Sequence, residues 1–310
     1  MPVTPPHRPP PSGEQHDIGH GGQRAVIAEV GATLRSYTVD GVDVVDGFGV
    51  DQLCDFGRGQ VLAPWPNRLA DGGYSFSGRE AHAALDEPDR HNAIHGLVRW
   101  LPWRVVSRVQ NRISLRCVLY PQPGYPWRLE LSIEYRLGRG GLSVTFDANN
   151  TDDGVAPFGV GFHPYLTLGA EVDSVALMVP AAQRMLTDER GLPVGLRPVA
   201  GSEFDFTARR WIGPTRLDTA YTDFQRRADG LMCVELDDAA GGRGVTVWMD
   251  AQFKYVMVFS GDTIEPPERR RRSLAVEPMS CPPDALRSGV DVVALEPGAS
   301  WQGTWGLTPR

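Results

Sequence analysis

Five short segments of this 310-residue chain place polar side chains beside aromatic residues, glycine or proline. Carboxylate and imidazole groups in such places can accept and donate protons, and an arginine donates several hydrogen bonds from one plane. These segments are therefore the candidates for a chemical site. Their polar residues are Arg68, His95, His163, Asp218 and Glu277.

Glu277 is the strongest single candidate because it follows an apolar stretch that is predicted to be a strand. A buried carboxylate without a partner is costly, so we expect a cation or a ligand to meet it. Taken singly, His95 and His163 are equally compatible with core or turn histidines. Arg68 alone is compatible with a surface residue, and Asp218 alone with a turn or a helix cap.

A zinc pair is a competing interpretation, because His91 and His95 have the i,i+4 spacing that puts two ligands on one helix face. Asn92, Gly96 and the nearby Pro88 argue against a helix there. We therefore expect no metal site, and no other feature of the chain calls for a cofactor.

Apolar residues recur with period two in the runs that must position these side chains. The clearest run is 127–137, and the same alternation is present in 113–119, 142–146 and 245–249. Such runs predict strands with one solvated face, whereas 255–259 predicts a more fully buried strand. With 35 glycines, 26 prolines and no long helical periodicity, the chain is expected to form one large antiparallel β-sandwich.

The chain is expected to hold one folded domain, at residues 23–310, since no internal repeat is present. Residues 1–22 are rich in proline, glycine and polar side chains, which predicts a flexible tail. The arginine run at 268–272 follows two prolines and is expected to be a solvated loop tip.

Charge and cysteine usage narrow the class of protein. The chain has 31 Lys and Arg residues against 38 Asp and Glu residues, so no basic surplus is present to neutralise phosphates, and we expect no nucleic-acid partner. No apolar run suits a membrane span and no secretory signal is recognisable, which favours a cytoplasmic protein without a membrane partner. The scattered cysteines predict reduced thiols. A monomer and a homodimer are both compatible with the sequence.

Taken in order, the motifs PWPNR, DGGYSF, IHG, GFHPY, LDTAY and VEPMSCPPDAL resemble those of the aldose 1-epimerases, or mutarotases, over nearly the whole folded chain. The resemblance implies a large β-sandwich of the galactose mutarotase kind, a supersandwich with few short helices. It also implies an isomerase that interconverts the α and β anomers of a free aldose by acid–base ring opening and closing.

The resemblance assigns a role to each candidate. Glu277 would be the base that takes the anomeric proton, and His163 the acid that protonates the ring oxygen. Arg68 and His95 would bind the sugar, and Asp218 would accept hydrogen bonds from its hydroxyls. Further sugar-site residues are expected at Asn67, Tyr165 and Trp100, with Trp65 a weaker candidate for an apolar platform.

Two other functions are compatible with the same motifs. A mutarotase of a phosphorylated or sulfonated hexose would need additional cations, for which Arg99 and Arg104 are available. A non-catalytic sugar-binding or sensing module would keep the groove without the chemistry. The presence of both His163 and Glu277 favours the enzyme, because a binder has no need of a matched proton donor and acceptor.

Overall fold

The computed structural model describes residues 9–238 and 242–310, and strands dominate this part of the chain. The strands are β1 (Gln15–His20), β2 (Gln23–Ala28), β3 (Thr33–Val39), β4 (Val42–Val45), β5 (Val61–Leu62), β6 (Arg68–Ala70), β7 (Gly73–Phe76), β8 (Arg79–His82), β9 (Asn92–Ile94), β10 (Arg104–Val109), β11 (Arg112–Leu119), β12 (Leu129–Gly138), β13 (Gly141–Asn150), β14 (Ala156–Phe158), β15 (Gly161–Phe162), β16 (Tyr165–Leu166), β17 (Val175–Met178), β18 (Ala181–Thr187), β19 (Pro193–Pro198), β20 (Arg210–Trp211), β21 (Asp218–Phe224), β22 (Met232–Asp238), β23 (Gly244–Met249), β24 (Tyr255–Phe259), β25 (Leu274–Met279), β26 (Val293–Leu295) and β27 (Ser300–Pro309).

Helical structure is confined to short pieces. The α-helix α1 covers Ala285–Ser288, and 3₁₀ turns lie at Pro88–Arg90, Val172–Ser174 and Pro267–Arg269. Within the described ranges, no helix has the length and apolar character needed to cross a membrane.

Two large antiparallel sheets form the architecture. The first has twelve strands and contains the path β1-β2-β3-β4-β16-β25-β24-β21-β18-β19, with β15 and β5 joined beside β25. The second has nine strands in the order β10-β11-β12-β13-β27-β23-β22-β17-β20. The large antiparallel β-sandwich inferred from the sequence is confirmed.

The period-two runs form the strands that they predict. In β12, alternate residues from Leu129 to Leu137 are buried, while the polar residues between them are more exposed. The strand pairs with β13 in a register that places Ile133 opposite Phe146. Because successive side chains point to opposite faces, this alternation puts one face of the sheet in the core.

Aromatic side chains join the two sheets. Phe162, on the twelve-stranded sheet, packs against Phe146 and Trp305 of the nine-stranded sheet, with ring centroids 5.9 Å and 5.3 Å away. These separations suit edge-on and tilted aromatic contacts. The residue before His163 is thus anchored in the core, which fixes the chain where it enters the candidate site.

The prediction of a flexible tail is wrong for residues 15–20. They form β1, which pairs with β2 from Gln15 opposite Ala28 to His20 opposite Gln23. Ile18 is only 2% exposed and packs in the core. Composition alone gave the wrong prediction here. A polar segment can be ordered when it buries one apolar residue and pairs with the edge of a strand. Residues 1–8 lie outside the described residues.

The arginine run is also more than a solvated tip. Arg271 is 19% exposed and binds both Asp173 and Asp262, while Arg269 binds Asp55 at 2.6 Å. Ion pairs therefore tie this loop to distant parts of the chain.

We predict that Ile18→Ala lowers the free energy of unfolding by about 2–5 kcal/mol, the cost of truncating a buried aliphatic side chain. Urea denaturation measures the loss. Val106→Ala, at a side chain 63% exposed on β10, is the matched control and should change stability by less than about 0.5 kcal/mol. Equal, small effects of the two changes would mean that β1 contributes nothing to the fold.

Candidate functional site

Strand β25 holds Glu277 on the outer face of the twelve-stranded sheet. All six residues of this strand are buried. Val276 belongs to the sandwich core, so the next side chain points to the opposite face. Glu277 lies opposite Met257 in the neighbouring strand, and Met257 lies opposite Ala220. These residues share the face that looks away from the second sheet.

His163 lies in the short break between β15 and β16. Its backbone N–H donates to the carbonyl of Gln60 at 3.2 Å, and its carbonyl accepts from the N–H of Gly59 at 2.9 Å. Pro164 has no N–H for sheet pairing, which favours the break at this point. Its carbonyl accepts from Val276, the neighbour of Glu277, at 3.2 Å. The backbone therefore brings His163 and Glu277 together.

The two side chains meet. Nε2 of His163 is 3.3 Å from Oε1 of Glu277, and both side chains are almost fully buried. Nδ1 of His163 and Oε2 of Glu277 have no hydrogen-bond partner in the described part of the protein. Unpartnered buried polar atoms are uncommon in proteins and are typical of functional sites.

The environment keeps this pair neutral. Burial raises the pKa of Glu277 well above its ordinary value, and the nearby charge of Asp218 raises it further. Burial also lowers the pKa of His163 to about 3, with neighbouring arginine charges acting in the same direction. Desolvation of two charges outweighs their attraction.

His95 is held as a neutral hydrogen-bond donor. The backbone N–H of Asn67 donates to Nδ1 of His95 at 3.3 Å, so Nε2 carries the ring proton of the neutral imidazole. Burial, together with the neighbouring His163 and arginine charges, holds the pKa of His95 well below its ordinary value. Asn67 in turn accepts the backbone N–H of His95 at 2.9 Å.

Arg68 is oriented by a carboxylate that the sequence did not single out. Its Nε donates to Oε2 of Glu87 at 2.9 Å, and its Nη2 donates to Oε1 at 3.0 Å. Asn92 donates to the same carboxylate at 2.9 Å. Planar two-point pairing of this kind fixes a guanidinium in direction as well as place. Nothing in the local sequence distinguished Glu87 from a surface acid, since only the tertiary contact defines its role.

Asp218 and Trp100 lie on the open side of the site. Asp218 begins β21 opposite Phe259 and is exposed, and its carboxylate makes no hydrogen bond or ion pair with the described residues. Its carboxylate is available to accept hydrogen bonds from a ligand. Trp100 is 45% exposed, with the guanidinium carbon of Arg99 5.3 Å from the centroid of its ring.

One cavity of about 940 Å³ joins all the residues of the predicted site. Those lining it include Asn67, Arg68, His95, Trp100, His163, Tyr165, Asp218 and Glu277. Arg99 also lines it, but Arg104 lies on β10 and faces a different groove. Trp65 is 2% exposed in the core, so the platform role considered for it is wrong.

The proposed helical zinc pair is also excluded by the local structure. His91 and His95 flank strand β9, so they do not share a helix face. His91 is exposed and contacts Asp71, with Nδ1 2.8 Å from Oδ1.

Comparison with known proteins identifies the family of this chain. The family model for aldose 1-epimerase matches residues 14–308. The chain is 34% identical over 289 residues to the uncharacterized protein YihR of Escherichia coli K12, covering 93% of this chain and 90% of that protein. It is 26% identical to human galactose mutarotase over 208 residues, which is 61% of this chain and 58% of that protein.

Solved structures share the fold at low sequence identity. A GalM/aldose epimerase homologue from C. elegans superimposes with a TM-score of 0.84 at 18% identity, covering 96% of this chain and 98% of that one. A galactose 1-epimerase from Lactobacillus acidophilus gives 0.79 at 18% identity, with 96% and 94% covered. With the family model spanning nearly all of the chain, the resemblance of its motifs is confirmed, and this protein belongs to the aldose 1-epimerase family.

Proposed function

We propose that this protein is an aldose 1-epimerase that interconverts the α and β anomers of a free aldose. The observation that carries the proposal is the 3.3 Å contact between Nε2 of His163 and Oε1 of Glu277 in the wall of the cavity. A proton donor and a proton acceptor at this separation can reach two oxygens that are bonded to the same carbon, as the anomeric and ring oxygens of a pyranose are.

In the proposed reaction, the Glu277 carboxylate takes the proton of the anomeric hydroxyl while the His163 imidazolium gives a proton to the ring oxygen. The bond between C1 and the ring oxygen breaks, and its electron pair stays on that oxygen. The anomeric oxygen becomes the carbonyl of an open-chain aldehyde. Rotation about C1–C2 presents the other carbonyl face, and reversal of both transfers closes the ring as the opposite anomer.

The number of protons on the pair is the same before and after ring opening. A charged pair accompanies the cyclic sugar, and a protonated Glu277 with a neutral His163 accompanies the aldehyde. The two arrangements are tautomers of one coupled site. Because burial favours the neutral arrangement, the site favours the protonation state of the ring-opened intermediate. The charged arrangement that begins ring opening must therefore form when the sugar binds, and hydrogen bonds from the sugar hydroxyls to the Glu277 carboxylate offset part of its desolvation cost.

The surrounding residues support a polyhydroxylated ligand. Arg68 and Nε2 of His95 supply donors in fixed directions, and Asp218 supplies an acceptor that can form two charge-assisted hydrogen bonds. Trp100 offers an exposed aromatic face to the C–H bonds of a sugar. Holding the sugar in one orientation removes part of the entropic cost of reaction.

The arginines near the pair favour a neutral sugar over an anionic one. Arg68 is already bound by Glu87, and Arg99 is bound by Asp86. Both cations therefore already have a counter-charge, so neither is free to bind a phosphate or sulfonate group. We propose a neutral aldose as the substrate class, and Arg184, which lines the cavity without an ion pair among the described residues, is the cation that an anionic sugar would use.

We predict that the protein speeds the decay of optical rotation when it is mixed with the pure α-anomer of at least one neutral aldose. Glucose, galactose, xylose and arabinose form the test panel, with glucose 6-phosphate and a sulfonated hexose as the anionic comparison. Faster exchange of an anionic sugar would contradict the proposed substrate class. Sugar binding without acceleration on any member would indicate a binding module instead.

We predict that Glu277→Gln and His163→Asn each lower kcat by about 10²- to 10⁴-fold, the usual contribution of a general acid or base. Exchange NMR on the best substrate measures kcat and KM, and sugar binding should largely persist. Glu134→Gln and His82→Asn change the same residue types outside the cavity and should retain full activity. Loss of binding in parallel with activity would assign the pair to recognition rather than proton transfer.

We predict that Glu277→Gln stabilises the protein increasingly as pH rises above the ordinary carboxyl pKa of 4.5. Above that pH the unfolded chain releases the Glu277 proton while the folded chain keeps it, so the contribution of Glu277 to wild-type stability falls by about 1.4 kcal/mol per pH unit until the folded pKa is reached. Glutamine does not titrate. Urea denaturation at about pH 4.5 and pH 8 measures the change, and a difference independent of pH would show that Glu277 titrates normally.

A further inference from the structure

Arg58 is a fully buried arginine next to the site but outside the cavity lining. Its side chain is 1% exposed and is bound by two carboxylates. Nη1 is 2.5 Å from Oδ2 of Asp46, and Nε is 2.9 Å from Oδ1 of Asp55. Because it does not line the cavity, Arg58 has no direct access to a bound sugar.

Two aromatic contacts connect Arg58 to the proton donor. Its guanidinium carbon lies 4.4 Å from the centroid of the Tyr165 ring, a cation–π contact. The Tyr165 ring stacks on the His163 imidazole, with centroids 5.0 Å apart and planes inclined by 14°. The Tyr165 hydroxyl donates to the carbonyl of Phe56 at 3.3 Å. The Arg58 guanidinium thus contacts the Tyr165 ring, which is itself held in place and stacks on the His163 imidazole.

The loop that carries Arg58 also touches His163 directly. Gly57 has a φ of +73°, and a Cβ built there would lie 2.8 Å from Cδ2 of His163. Only glycine combines that backbone conformation with so close an approach. Gly59 and Gln60, which follow Arg58, make the backbone hydrogen bonds to His163 described above. The loop therefore determines both the backbone position and the ring environment of His163.

The carboxylates around Arg58 are anchored from a second loop. Arg269 donates to Oδ2 of Asp55 at 2.6 Å, and the hydroxyl of Ser273 donates to Oδ2 of Asp46 at 2.6 Å. Arg269 belongs to the arginine run at 268–272, and Ser273 lies between that run and β25. The strand that holds Glu277 and the loop that holds His163 are therefore joined through Arg58.

We propose that Arg58 is a positioning residue that holds the His163 imidazole, through the ring of Tyr165, in the orientation needed for proton transfer at the sugar ring oxygen. The inference rests on the proposed epimerase function. A buried ion-paired arginine generally adds little net stability compared with an apolar side chain of the same size. A role in orientation explains why the position holds a charged planar group.

The charge of Arg58 also acts on the acidity of the pair. It contributes, after burial, to the lowered pKa of His163. The other groups around this imidazole are Glu277, His95, Tyr165 and the charge of Arg99. Removing the Arg58 charge should therefore raise the pKa of His163 while the remaining groups stay in place.

The test compares Arg58→Met with Arg210→Met. Arg210 is a matched control because its guanidinium carbon lies 3.9 Å from the centroid of the buried Phe206 ring, away from the cavity. Arg58→Met should lower kcat about tenfold to a hundredfold, the cost of a misplaced reacting group, and leave KM nearly unchanged. Arg210→Met should retain wild-type kcat. Wild-type kcat in folded Arg58→Met, or equal losses in both variants, would overturn the proposal.

A readout that does not require activity separates this inference from the proposed function. Side-chain ¹⁵N NMR of His163 should show changed ring signals and a titration moved to higher pH in Arg58→Met, and unchanged signals in Arg210→Met. If the wild-type protein has no epimerase activity, the proposed function fails while the NMR comparison still decides whether Arg58 controls His163. Unchanged His163 signals in Arg58→Met would reject that control.

Asp55→Asn provides a second variant if Arg58→Met does not fold. It keeps the Arg58 charge and the Asp46 contact but removes the negative charge opposite Nε. A smaller fall in kcat, with KM unchanged and the His163 signals displaced, supports positioning through Arg58. Wild-type kcat together with unchanged His163 signals contradicts it.

Discussion

The structure of this site depends on a buried contact between an imidazole and a carboxyl group. Placing His163 and Glu277 together away from water makes each charged form costly, so the pair is neutral. The same burial leaves Nδ1 of His163 and Oε2 of Glu277 without a hydrogen-bond partner among the described residues. Loss of either partner would leave the other as an isolated buried polar group, which ties the chemistry of the site to the stability of its surroundings.

The sandwich supplies this contact with two kinds of support. Glu277 comes from an inner strand of the twelve-stranded sheet, where pairing on both sides limits movement. His163 comes from a break between strands, and its position depends on the loop containing Gly59 and Gln60. Arg68 and His95 come from the adjoining segments around β6 and β9. A rigid sheet thus carries Glu277, while His163, His95 and Trp100 lie in loops, which generally vary in sequence more than the strands that they connect.

The arginines next to His163 and Glu277 are held in ion pairs with carboxylates. Glu87 holds Arg68, Asp86 holds Arg99, and Asp218 lacks a partner within the described ranges. The negative charge of Asp218 raises the pKa of the nearby Glu277. The same carboxylate is a hydrogen-bond acceptor that faces the cavity. The arginines next to His163 and Glu277 are therefore neutralised locally, whereas Asp218 and Arg184 line the cavity without ion pairs among the described residues.

The sequence by itself determined the strand pattern, the family and the residues that share the cavity. Period-two alternation is a local property, so β11, β12, β13, β23 and β24 could be recognised without knowing their partners. Only the tertiary structure decided that β1 is ordered, that Glu87 orients Arg68, that Arg58 stacks with Tyr165, and that His163 and Glu277 are neutral as a pair. The physical reason is that burial, ion pairing and desolvation depend on groups far apart in the chain, and no local pattern records which of them become neighbours.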